Sequence, residues 1–134
     1  MGRFCMPASP SDPKSWYAKG DADLTLARRA LDPADPLAEL AAYHAQQCAE
    51  KYLKGFLVSA SVPFRFVHDL GYLVHLCQRI APEFAQVESI AFKLTRYATE
   101  SRYPKEDDLP CTVEEAHEAI GLAVQIRDFV LARL

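Results

Sequence analysis

Glycine is scarce in this chain of 134 residues, with five in all, and no stretch alternates apolar and polar residues at period two. Those shortages argue against hairpins and half-buried sheets. A basic excess is missing too: 15 Lys and Arg stand against 18 Asp and Glu, leaving a formal charge of −3. That balance excludes the broadly cationic surface that drives non-specific duplex binding. Any nucleic-acid contact must come from a local patch. No apolar run approaches the roughly 18 residues that a membrane span needs. The stretch Met1 to Pro13 has one arginine, three prolines and no apolar core, unlike a secretory signal.

Paired cysteines are also lacking. Cys5, Cys48, Cys77 and Cys111 are isolated, with no CxxC pair. Cys48 and Cys77 fall inside apolar helical stripes, where a free thiol acts as a small hydrophobe. A reduced, cytoplasmic protein is expected. His44 and Cys48 lie one helical turn apart, and His68 and His75 two turns apart. Neither pair has a third ligand in register, so no metal centre is expected. Gly-rich phosphate loops, GxSxG elbows and HExxH are missing as well, and no cofactor is expected.

What remains is helical. Half of the residues are apolar, with Ala and Leu abundant, and 134 residues make one ordinary domain. The nine prolines are grouped, and they divide the chain into five helical segments. The first runs from about Ser15 to Leu31. The second, Leu37 to about Ala60, follows an expected Asp35 cap with Pro36 at its first position. The third spans His68 or Asp69 to Ala81, with Ile80 facing inward, and the fourth Pro82 to about Ser101. The last opens at a capping box, Thr112-Val113-Glu114-Glu115. The expectation is an all-α, four- or five-helix up-and-down bundle over residues 15–134, preceded by a flexible leader over residues 1–14. The last helix carries a second apolar stripe, Leu122, Ile126 and Phe129. That pattern makes it either the central helix or half of a subunit interface.

Three polar clusters are candidates for function. On the second helix Gln47, Glu50, Lys51 and Lys54 share one ridge, either a solvated face with an ordinary ion pair or a surface for phosphate or a partner. His68-Asp69 opens the third helix, as a cap or as a polar site at the bundle end. Arg96-Tyr97 and Arg102-Tyr103-Pro104 supply guanidinium forks and aromatic faces suited to phosphates and bases.

The run Gln46-Gln47-Cys48-Ala49-Glu50-Lys51-Tyr52-Leu53-Lys54-Gly55 resembles the QQAxEKxLKA signature of HEPN domains, the "higher eukaryotes and prokaryotes nucleotide-binding" domains. His68-Asp69-Leu70 is similar to the family's HDL element, and Ser101-Arg102-Tyr103-Pro104 to its RYP element. Trp16 and Asp21-Ala22-Asp23-Leu24 resemble its opening. The resemblance implies a helical bundle that commonly forms homodimers, and the second stripe of the last helix is the expected interface. It also implies a minimal nucleotidyltransferase as partner, sometimes in a toxin–antitoxin module. Many such domains are metal-independent ribonucleases using an arginine with a histidine five to seven residues beyond it. No arginine of this chain has that histidine; at those offsets Arg102 meets Asp107, Asp108 and Leu109. The resemblance therefore implies a non-enzymatic subunit that binds a nucleotide or a partner. Gln47, Lys51, Lys54, His68, Asp69, Arg96, Arg102 and Tyr103 are its expected contacts. The alternative is a ribonuclease with a diverged site, in which Arg102 holds phosphate and Tyr103 or His68 replaces the missing histidine. A purely structural bundle is the third reading.

Overall fold

The computed structural model describes residues 11–97 and 110–134. Among these the chain forms five α-helices and one 3-10 helix and no strand. They are α1 (Pro13–Ala30), α2 (Ala38–Ser59), α3 (Leu70–Gln78), a 3-10 segment (Pro82–Val87), α4 (Glu88–Thr95) and α5 (Val113–Leu131). The all-helical bundle anticipated from the proline spacing is the fold observed.

Local chemistry sets most helix starts. Asp12 caps α1 by accepting from the Lys14 amide, with Pro13 in the first turn. Asp69 caps α3 through the Tyr72 amide. Thr112 and Glu115 form the reciprocal capping box expected for α5. Two starts differ from expectation. Asp35 and Pro36 do not open α2; its cap is Leu37, without a side-chain bond. The Leu37 amide instead donates to the Ala30 carbonyl at 2.7 Å, so the end of α1 positions the start of α2. Pro82 opens a 3-10 helix rather than an α-helix. Its three-residue repeat puts Phe84 and Val87 on one side, and both are buried.

The middle of the bundle is α2, which packs against each of the other four α-helices. Its buried residues run almost without a break from Ala41 to Leu57. The sequence pattern offered α5 that place, or an interface. In the structure Ile126 of its second stripe is fully buried in the core, with Leu122 and Phe129 half-buried against it. That stripe is therefore covered largely within the chain. Ile80, expected inside, is exposed, as are Leu37 and Leu40 at the start of α2. Cys48 and Cys77 are buried and free, and burial pushes both thiols up to about 12, which leaves them unreactive core residues.

Candidate functional site

Four polar side chains of α2 lie inside the bundle: Gln46, Gln47, Glu50 and Lys54. A solvated ridge is thus not what α2 presents. The carboxylate of Glu50, with 3% of its side chain exposed, organises the group. Its Oε2 accepts from Lys54 Nζ at 2.7 Å. Its Oε1 accepts from Gln46 Nε2 at 3.3 Å and meets His68 Nδ1 at 2.9 Å. Gln47 Nε2 donates to Gln46 Oε1 at 2.8 Å, and Gln46 Nε2 also donates to the His68 carbonyl at 3.1 Å. Burial raises the Glu50 carboxyl, but Lys54 and His68 together outweigh it and hold the group below its ordinary value. An ionised carboxylate is tolerated here because its partners satisfy it.

The segment between α2 and α3 covers this network. Phe64 lies under the Lys54 ammonium, 5.7 Å from ring centroid to Nζ, and meets Trp16 edge to face. His68 is the polar end of the cover, with 54% of its side chain exposed. It joins the buried carboxylate to the surface.

Beside it a groove of about 680 Å³ runs between the start of α3, the end of α4 and the middle of α5. Asp69, Lys93, Arg96 and Glu118 supply its charged groups, and Phe92, Tyr97 and Leu122 its apolar walls. The Leu70 amide donates to Thr95 Oγ1 at 3.1 Å, pinning the start of α3 to the end of α4. Arg96 follows Thr95 directly. Its guanidinium donates to the Tyr97 hydroxyl at 2.7 Å, lies over the Tyr97 ring and meets Glu115 at 3.5 Å. Phe92 is 80% exposed, a free aromatic face at the mouth.

The residues expected from sequence therefore separate into three places. Asp69 and Arg96 both line the groove. Gln47, Lys54 and His68 belong to the Glu50 network. Lys51 points to α1, where it pairs with Asp23 at 3.0 Å, and His44 meets the same carboxylate at 2.9 Å. Arg102 and Tyr103 lie outside the described residues. Sequence reasoning placed Glu50 on the ridge without making it the centre, and it missed Lys93, Phe92 and Glu118. The usable signal for Glu50 was the row Gln46, Gln47, Glu50 and Lys54 set among Cys48, Ala49 and Leu53, which marks a polar strip inside a buried helix.

Fold and site together define a small helical-bundle protein whose central helix carries a satisfied polar network, beside a groove sized for a small ligand. The HEPN domain family model matches residues 13–133. The crystal structure of ST0689, an archaeal HEPN homologue, is similar over 91% of this chain and 97% of its own, at 29% identity and a TM-score of 0.73. TT1696 from Thermus thermophilus is similar over 91% of this chain and 98% of its own, at 27% identity and a TM-score of 0.76. No curated protein matches the chain. The chain belongs to the HEPN domain family, a fold of nucleotide-binding and ribonuclease type. Among the described residues no helix is long and apolar enough to cross a membrane.

Proposed function

We propose that this chain is a nucleotide- and partner-binding HEPN subunit that forms a homodimer through α5 and acts with a minimal nucleotidyltransferase, in a toxin–antitoxin setting. The observation that carries the nucleotide reading is the groove. Arg96 and Lys93 offer charge-assisted donors to phosphate, while Phe92 and Tyr97 offer ring faces to a base. Its volume suits one nucleotide rather than a duplex. The partner follows from family resemblance and from the absence of the arginine–histidine spacing of the family's ribonucleases. Calorimetry with ATP and GTP tests the groove: Arg96→Ala should weaken binding about tenfold, the worth of one charged hydrogen bond. Binding of neither nucleotide by the wild-type chain would reject the reading. Co-purification with a nucleotidyltransferase encoded beside it tests the partner.

A metal-independent ribonuclease is the second reading, favoured by one contact. A half-exposed imidazole held by a buried carboxylate is an arrangement that general acid–base catalysis uses. RNA incubated in EDTA should be cut by wild type and not by His68→Ala if this reading holds. Equal traces from both would end it.

A further inference from the structure

Two residues hold the guanidinium of Arg96, and they hold it differently. Tyr97 is rooted in the core, 6% exposed, and its hydroxyl accepts from Arg96 Nη2 at 2.7 Å. Glu115, in the first turn of α5, meets the same nitrogen with its Oε2 at 3.5 Å. The first contact has the length of a full hydrogen bond. The second is long for a charge-assisted bond, which closes to about 2.7–2.9 Å. Glu115 has its own anchor as well. Its Oε1 accepts from the Thr112 amide at 2.9 Å and closes the capping box of α5. It therefore keeps its place whether or not Arg96 stays beside it.

A guanidinium grips phosphate best through two parallel N–H donors. Its two edges that can do so are Nε with Nη2 and Nη1 with Nη2. Every bidentate grip thus uses Nη2, the nitrogen on which both contacts of Arg96 fall. A phosphate seated there must take a hydrogen from one of the two partners. The hydroxyl is neutral and close, while the carboxylate is loose and repels a phosphate. We propose that Glu115 is the resident counter-anion of Arg96, exchanged for the phosphate of a bound nucleotide, with the Tyr97 hydroxyl as the positioning group that keeps the guanidinium at the groove. The inference rests on the nucleotide reading of the groove and adds two residues with opposite effects on affinity. Tyr97 raises it by holding the donor ready, and Glu115 lowers it by competing for that donor.

Calorimetry with ATP and GTP tests both roles. Tyr97→Phe keeps the ring in the core, and Glu115→Gln keeps a side chain that a capping box accepts. Tyr97→Phe should weaken binding about fivefold, the worth of one hydrogen bond. Glu115→Gln should strengthen it about threefold, the worth of an exposed ion pair that binding no longer has to break. In an Arg96→Ala background both changes should have no effect, because each acts through the guanidinium. In the ¹³C-labelled chain the Glu115 carboxylate resonance should move when nucleotide is added, and stay still in Arg96→Ala. Unchanged or weaker binding by Glu115→Gln overturns the exchange, and wild-type binding by Tyr97→Phe overturns the positioning role. Either effect persisting in Arg96→Ala overturns the residue concerned. In all these cases Arg96-dependent binding by wild type leaves the groove reading standing. Binding of neither nucleotide by wild type, or equal binding by Arg96→Ala, ends both.

Discussion

At the scale of single residues the decisive quantity is the desolvation of Glu50. Removing a charge from water costs several kcal/mol, and its partners must return that within the fold. Lys54 does most of it, at 2.7 Å and with 6% of its side chain exposed. Lys54→Ala would leave a buried carboxylate without its cation, and a loss of about 3–5 kcal/mol is expected in urea denaturation. The pH dependence follows with a definite sign. The Glu50 carboxyl titrates below its ordinary 4.5 in the folded chain. Its contribution is therefore present above that value and lost as pH falls, because the unfolded chain takes up the proton first. Denaturation from neutral pH down through the carboxylate range should show stability falling more steeply in wild type than in Glu50→Gln. Parallel curves would show that Glu50 is not held ionised by the fold.

At the scale of elements the packing of α1 on α2 depends on two glycines. A Cβ added at Gly20 would stand 2.8 Å from Tyr52 Cδ2, and one at Gly55 would meet the Tyr17 ring and lie 3.1 Å from Trp16 Cβ. Close approach of the helices, not a special backbone angle, is what these positions require. Gly121 on α5 is the contrast: nothing lies within 4 Å of its added Cβ. Gly121→Ala should stabilise by about 0.5–1 kcal/mol through helix propensity. Gly55→Ala gains the same propensity, but overpacking costs about 1–3 kcal/mol and the net is a loss. Melting temperatures should move in opposite directions, and a rise for Gly55→Ala would mean that α1 shifts easily. This scale was the most legible from sequence. Prolines divided the chain into its helical segments, and the capping box at Thr112 stands as read. The misplacements at Leu37 and Pro82 arose where a tertiary contact outweighed a local signal. Ala30 set the start of α2, and burial of Phe84 with Val87 selected the 3-10 turn. The buried ridge of α2 was illegible for a similar reason. A helical period tells which residues share a face, but not that Phe64 and His68, from ten or more residues away, come to cover it.

At the scale of the molecule the open matter is which apolar surface a second copy would cover. Ile126 is spent on the core, so a dimer resting on α5 must use what the core leaves outside. Leu122 is half-buried and shares the groove with Phe92 of α4, whose ring is almost wholly in water. An exposed phenylalanine next to a partly covered leucine is the kind of patch that association removes from solvent, and a two-fold arrangement would cover both copies with one contact. It would also bring two grooves to one boundary, so that nucleotide binding and association become linked and a bound nucleotide stabilises the dimer. Light scattering behind size exclusion should give twice the 15.0 kDa of one chain. Phe92→Glu should return the mass to that of one chain with its helical circular dichroism unchanged, since a residue this exposed holds nothing in the monomer. A wild-type mass of one chain at every concentration would remove the α5 dimer. A dimer that survives Phe92→Glu and Leu122→Glu would place the interface elsewhere, with the exposed Leu37 and Leu40 at the start of α2 the next surface to substitute.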